Sequence, residues 1–385
     1  MLTTFIFIKI TPINISSTFF YNITIFGIIA NVSLFGYATY FNKISVDISE
    51  ESNSKKIGNI SYYILFSFIT GVIFLIYSII KEGHTLLIFC VFSDILIFKV
   101  LRERFFCSLC RAKNKIFLYF KIQIIYSILK LIITYIYYLK IINIDTLFIS
   151  YIVLMVLTSI YMFSFIKQIF HNKKDSVKEY FSLGGSFFIA TIFTMGYDYA
   201  PILILRFKSE NLDEIAYFSA NYKIISIFIL SLGIFTQTIL PVQRKYFLKR
   251  ELQPTLNLSI YIALILSLMY IPIFLILKYY SSFIISLFLG DEFLIAQDTF
   301  IVLLVGIWGS IFNFILFSGL QASDKEKIIP FIIAPCSLLN IILLLNLSYL
   351  GSYGAALSLT ISLLFCASLT FSIYIYLKIK NNDEI

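Results

Sequence analysis

Four ionisable side chains stand inside long apolar runs of this chain: Asp94, Lys130, Asp198 and Lys223. Lys121 lies nearer the end of one such run and Arg206 just beyond another. A charge in hydrocarbon costs several kcal/mol unless it is paired or hydrated, so each of these has a job to explain. Asp94 and Lys130 fall at similar depths on neighbouring antiparallel spans, and so do Asp198 and Lys223. Two readings follow. Either these are structural ion pairs that join adjacent helices, or they line a hydrated cavity. In a cavity, Lys130, Lys223, Lys121 and Arg206 would offer positive charge to an anionic group, which cannot enter hydrocarbon unpaired. Asp94 and Asp198 would then neutralise the cations when the cavity is empty, or titrate with a coupling proton. Lys121 is close enough to a span end to snorkel.

Metal and covalent chemistry have little to work with. Five cysteines include a single CxxC, Cys107 and Cys110, and neither His84 nor His171 is near it in sequence. A zinc site needs about four ligands at paired spacing, so no metal or other cofactor is expected.

These charges are positioned by helices in lipid. Of 385 residues, 59% are hydrophobic and 13% charged, and the mean hydropathy is +0.92. That leaves too little polar material to cover a soluble core. Runs such as Leu147–Ile166 and Phe300–Leu320 are long enough to cross roughly 30 Å of hydrocarbon. The expected fold class is therefore an all-α integral membrane protein. Eleven spans are expected: Thr18–Tyr40, Ile60–Ile80, Thr85–Leu101, Ile116–Leu139, Thr146–Ile169, Tyr180–Leu205, Glu214–Leu240, Leu256–Leu277, Thr299–Leu320, Ile328–Leu347 and Tyr353–Leu377. These runs are apolar all round, unlike the alternating strands of about ten residues in a membrane barrel. The start of the chain lacks the pattern of a cleavable signal peptide.

The net charge of +9 is no nucleic-acid signature, because the basic residues sort by loop. Lys9, Lys81, Lys140, Arg206, Lys208 and Lys278 fall on one side, and Lys121, Lys130 and Lys223 fall inside spans. The remaining 21 of the 30 lie in the alternate loops, from Lys43 to Lys380. The positive-inside rule places those loops and the C-terminus in the cytoplasm, and eleven spans then place the N-terminus outside. The outer loops are short. The longest, Lys278–Asp298, holds the amphipathic stretch SSFIISLFLGDEF, which suits an interfacial segment.

Four patches resemble one family. They are Gly319–Ser362, with a small-residue turn, a basic loop, Asn340 and a G-x-x-G-A-A start to the last span; Gly196–Phe228, with Asp198 and an acidic loop before a Tyr-containing helix; Thr238–Phe247, with Pro241 before a basic segment; and Leu34–Ser45. Together they are similar to the O-antigen and polysaccharide flippases of the multidrug/oligosaccharidyl-lipid/polysaccharide (MOP, MATE-like) exporter superfamily. The resemblance implies twelve spans in two pseudo-repeated six-helix lobes around a central cavity, with both termini cytoplasmic. The lobes would be residues 1–170 and 171–385. A faint internal echo, Arg111 onward against Ser323 onward, fits a repeat. If Thr18–Tyr40 is the family's second span, the first is missing or vestigial in Met1–Thr11: either the chain starts further upstream or the protein does without that helix.

The resemblance also implies a function. The protein would move polyprenyl-pyrophosphate-linked oligosaccharide units, precursors of O-antigen or capsule, across the bacterial inner membrane. A glycan polymerase and other assembly proteins would be its partners. No covalent chemistry is implied. The competing readings are a membrane enzyme of the same pathway, which would need carboxylates or arginines on a substantial outer domain, and a multidrug exporter of the same superfamily, whose cavity would favour cations. Asn221, Asn313 and Asn340 fit helix–helix glue as well as cavity lining.

Overall fold

The computed structural model describes residues 2–34, 69, 71–76, 79–80, 85–95, 106, 110, 116–166, 188, 191–208, 211–248, 252–323 and 325–383. Among them there is no strand. Seven stretches are long and apolar enough to cross a membrane, and the last of these, Ile329–Ile379, contains two helices. The expected span Ile60–Ile80 falls largely, and the far part of Thr85–Leu101, residues 35–40 and the first part of Tyr180–Leu205 fall wholly or largely, outside the described residues. The chain divides into two compact units, Met1–Ile192 and Phe193–Ile385.

The first unit contains α1 (Leu2–Ile10), α2 (Ile13–Leu34), α3 (Thr85–Phe92), α4 (Ile116–Tyr138) and α5 (Ile144–Ile166). Within the Met1–Thr11 segment Leu2–Ile10 is helical, but α1 has only nine residues, about 13 Å of helix, which is less than half a bilayer core. It ends at Thr11–Pro12, where the Thr11 hydroxyl donates back to Phe7 O at 2.8 Å and α2 begins.

In lipid the chain must satisfy its backbone internally, so β-branched runs such as α4 become helix regardless of propensity. One stripe of α4, at helical spacing, faces inward. Tyr119, Ile122, Tyr126, Ile133 and Tyr137 pack on the core of Phe26, Ile88, Phe92, Leu147 and Met155. Phe117, Phe120, Ile124, Ile128 and Ile132 point outward. Between α4 and α5 the turn uses Lys140 at φ 58°. Asn143 then caps α5, its Oδ1 accepting from Thr146 N at 2.9 Å.

The second unit contains α6 (Ala200–Lys208), α7 (Asp213–Leu248), α8 (Leu252–Tyr279), α9 (Ser281–Phe288), α10 (Gln297–Ala322), α11 (Ile329–Leu347) and α12 (Gly351–Asp383). Residues 191–198 are helical and lead through a turn at Tyr199 into α6. The expected span Glu214–Leu240 is the middle of a longer helix. α7 runs eight residues further, so Arg244, expected in a loop, sits on helix and donates to Ala322 O at 2.7 Å. The amphipathic stretch divides into α9 and a 3₁₀ turn, Asp291–Ala296, with Phe283, Leu287 and Ile295 exposed and Ser281 and Ile285 buried.

α10 is the centre of this unit. Gly306 and Gly309 let it press against α12, and a Cβ on Gly309 would come within 2.7 Å of the Leu363 backbone. Small residues are how membrane helices gain van der Waals contact when no hydrophobic force brings them together. Polar side chains then lock the register. Thr360 Oγ1 donates to Val302 O at 3.0 Å, Tyr270 OH to Leu304 O at 2.9 Å, and Trp308 Nε1 to Ser267 O at 3.3 Å. At one end of the bundle Ser318 Oγ donates to Gln243 Oε1 at 2.8 Å, and Gln243 Nε2 to Ser259 Oγ at 2.9 Å.

Candidate functional site

Each unit holds one site of interest. In the first, Lys130 lies on the inward stripe of α4, four residues after Tyr126 and about 12 Å in from the Tyr138 end. Its Nζ is 3.5 Å from Asp94 Oδ2, so the expected contact between Asp94 and Lys130 exists. The ammonium also stands over two ring faces, 4.8 Å from the Tyr151 centroid and 5.9 Å from that of Tyr126. Cation–π attraction of this kind strengthens as water is removed. Tyr151 is itself fixed, its hydroxyl 2.6 Å from Thr134 Oγ1, and Thr134 donates to Lys130 O at 2.6 Å. Tyr151 and Thr134 were not singled out from the sequence. A Lys, a Thr and a Tyr at i, i+4 and across the next helix carry no signal until the helices pack.

The pair is neither sealed nor bathed. The Lys130 side chain is 20% exposed and that of Asp94 36%. The ion pair is longer than the usual 2.7–2.9 Å of a strong charge-assisted bond. An ammonium held by a loose carboxylate and two aromatic faces keeps part of its donor capacity for another anion. Lys121, on the same helix, is exposed and two and a half turns away, outside this cluster.

In the second unit a cavity of about 530 Å³ opens between residues 194–198, α7, α10, α11 and α12. That is within the range of small-ligand sites. Asp198 stands in its wall beside Tyr222, whose hydroxyl is within hydrogen-bonding reach of the Asp198 carboxylate. Ser310 and Asn313 line the middle, and Ser318 and Gln321 the other end, among apolar residues such as Phe314 and Leu363. Among the described residues of this wall there is one carboxylate and neither Lys nor Arg. Lys223 follows Tyr222 on α7, a rotation of about 100°, and is half-buried outside the wall. Arg206, half-buried on α6, is also outside it.

The three asparagines make inter-helix bonds. Asn340 Nδ2 donates to Gly196 O at 2.8 Å, Asn221 Nδ2 to Ala296 O at 3.2 Å, and Asn313 Nδ2 to Leu363 O at 3.2 Å. Asn313 also lines the cavity, so for it the two expected roles coincide. The G-x-x-G-A-A motif is structural. Gly351 adopts φ 60°, Gly354 leaves no room for a Cβ against Leu347 O, and Ala355 and Ala356 are fully buried. Cys107 lies outside the described residues, and among those described no three His, Cys, Asp or Glu side chains converge as metal ligands.

No protein-family model matches the chain, and no curated protein matches it. Solved structures do. An inward-facing multidrug-resistance MATE transporter of the MOP superfamily superposes with a TM-score of 0.74 at 13% identity, over 99% of this chain and 94% of that one. The lipid II flippase MurJ in an inward closed conformation gives 0.70 at 15%, over 98% and 87%. A MOP superfamily transporter from Pyrococcus furiosus, described by the reverse polarity of its binding pocket, gives 0.64 at 13%, over 97% and 90%. The fold is thus that of MOP transporters, and the protein is a multi-pass helical membrane protein.

Proposed function

We propose that this protein is a flippase for an anionic lipid-linked oligosaccharide, carrying a polyprenyl-pyrophosphate-linked repeat unit of the O-antigen or capsule type from the cytoplasmic to the outer leaflet of the bacterial inner membrane. The observation that carries this reading is Lys130, an ammonium placed deep within a span, facing inward, and held by a 3.5 Å contact to Asp94 and two aromatic faces. A pyrophosphate competes for such a cation far better than a single half-exposed carboxylate, because two phosphate charges replace one. Asp94 would shield Lys130 between cargoes. On this reading the two lobes, residues 1–170 and 171–385, would carry out alternating access. A fold shared with a lipid II flippase supports the class of cargo. A polymerase acting on the delivered units is the expected partner, and the C-terminus is cytoplasmic on this reading. No reaction chemistry is assigned.

The test is deletion of the gene with leaflet-resolved assay of the lipid-linked units. Trapping of these units on the cytoplasmic leaflet, relieved by the intact chain but not by Lys130→Ala inserted at normal level, is the expected result. Equal export by the Lys130→Ala chain would remove the proposed cargo contact.

One observation favours a second reading. The cavity wall, whose described residues include Asp198 and neither Lys nor Arg, suits an organic cation, and the fold is shared with multidrug transporters. Asp198→Asn tested for efflux of a lipophilic cation separates the two. A loss of cation efflux with glycan export intact would replace the flippase reading with the exporter.

A further inference from the structure

The cavity of the second unit has a polar feature besides Asp198. Ser310, Asn313, Phe314, Phe317 and Ser318 all line it from α10. Their spacing of three or four residues puts them on one face of that helix, and Ser310 to Ser318 covers about 12 Å of it. On this face the hydroxyl protons are already committed. Ser318 Oγ donates to Gln243 Oε1 at 2.8 Å, and Ser310 Oγ to Gly306 O at 3.3 Å. On α7, Thr236 also lines the cavity, and its Oγ1 donates to Gly233 O at 2.9 Å. A hydroxyl that spends its one proton in this way keeps lone pairs to accept with. Asn313 donates an amide N–H to Leu363 O at 3.2 Å, while its Oδ1 is buried and has no hydrogen bond. The residue is 6% exposed. A buried amide oxygen without a bond is costly and uncommon, and a ligand that brings a donor into the cavity removes that cost.

We propose that this cavity is a glycan site, which takes the sugar portion of the cargo as a short, uncharged, hydroxyl-rich chain. The proposal rests on the flippase reading. The glycan O–H groups donate to Thr236, Ser310, Asn313 and Ser318, and its C–H faces lie on Phe314 and Phe317. Small-molecule sites combine apolar and aromatic surface with a few placed polar groups in this manner, and the negative face of an aromatic ring attracts polarised C–H groups. The distribution of the acceptors selects the ligand class. An ammonium gathers its donors at one point, which the Asp198 carboxylate alone would serve. A glycan spreads neutral donors along its length, as the α10 face spreads neutral acceptors along its own.

The test is calorimetric titration of the full chain, purified in detergent, with two probes. One is the host strain's repeat-unit oligosaccharide, freed from its lipid by mild acid. The other is the same glycan after per-O-methylation, which removes every O–H donor and keeps the rings and their oxygens. Binding of the free glycan is expected, with a loss of about tenfold or more on methylation. Ser310→Ala and Thr236→Val each remove one acceptor with little change of shape, and should each weaken the free glycan by about three- to tenfold, the worth of one neutral hydrogen bond. Equal binding of the two probes, or unchanged binding in both variants, overturns the site. If a variant does not fold, the comparison of probes on the unaltered chain decides the question by itself. The two readings fail separately. Lipid-linked units left untrapped in the deletion strain overturn the flippase, whereas units trapped there, with no binding of the free glycan to the purified chain, overturn this site alone.

Discussion

The Glu214 carboxylate joins the beginnings of two helices: it stands in the first turn of α7, and its Oε2 accepts from Ser352 N at 2.6 Å in the first turn of α12. Negative charge is favourable at both positions, because the free N–H groups and the dipole of each helix point toward it. Gly351, at φ 60°, has its absent Cβ facing the same carboxylate.

Removing the clasp should loosen one end of the second unit. Glu214→Ala is expected to cost about 1–2 kcal/mol, the range for losing a helix cap with its charge. Glu214→Gln, which keeps one acceptor oxygen, should cost less. Gly351→Ala should destabilise as much as Glu214→Ala, from backbone strain and collision together. Thermal unfolding of the detergent-purified variants ranks the three, and a Glu214→Gln loss larger than that of Glu214→Ala contradicts the account.

Gly309 and Gly233 are expected to respond oppositely to the same change. A Cβ at Gly309 meets the Leu363 carbonyl carbon at 2.7 Å, and that atom is backbone in a packed helix. Gly309→Ala should therefore force α10 and α12 apart and lower the yield of folded protein. At Gly233 a Cβ would meet Phe314 Cε1 at 3.9 Å, an ordinary contact. Gly233→Ala should be neutral or slightly stabilising, since Ala favours helix by about 1 kcal/mol over Gly. Size-exclusion profiles of the two variants make the comparison.

The Lys130–Asp94 pair separates structure from transport through a double-mutant cycle. Asp94→Asn leaves a largely covered ammonium without its counter-charge, and should cost part of the about 3–5 kcal/mol seen for fully buried pairs. Lys130→Met leaves a carboxylate that is 36% exposed and able to hydrate, so it should cost less. Stability should be regained in the double variant, because neither charge is then stranded. Export should not be regained if Lys130 contacts cargo. Recovery of both together would make the pair structural.

Tyr151 holds Lys130 by its ring and Thr134 by its hydroxyl. Tyr151→Phe keeps the ring and should lose only about 1 kcal/mol, one hydrogen bond. Tyr151→Leu removes the cation–π face as well, and should lower both stability and export. A cycle of the two variants against Lys130→Met measures the coupling. Zero coupling for the Leu variant would place the ammonium away from the ring.

Much of the architecture was legible because lipid simplifies the problem. A run such as Thr299–Leu320 is helix in any apolar solvent, and α10 covers it with two residues to spare at each end. The match of Asp94 with Lys130 was legible too, since a short connection between antiparallel spans fixes relative depth. The 36-residue length of α7 was not, because a basic segment following Pro241 reads as a loop, whereas Arg244 is drawn into helix by the carbonyl of Ala322.

The sequence alone determined which segments are helices in hydrocarbon and at what depth each charge lies, because length, apolarity and the cost of burying charge are local properties. Only tertiary structure decided which face of each helix looks inward. Tyr222 and Lys223 are adjacent in the chain, yet Tyr222 lines the cavity and Lys223 does not. In water the apolar stripe of a helix announces its buried face. In lipid both faces are apolar, the hydrophobic effect does not choose between them, and close packing around glycines such as Gly309, with bonds such as Asn340 to Gly196, makes the choice instead.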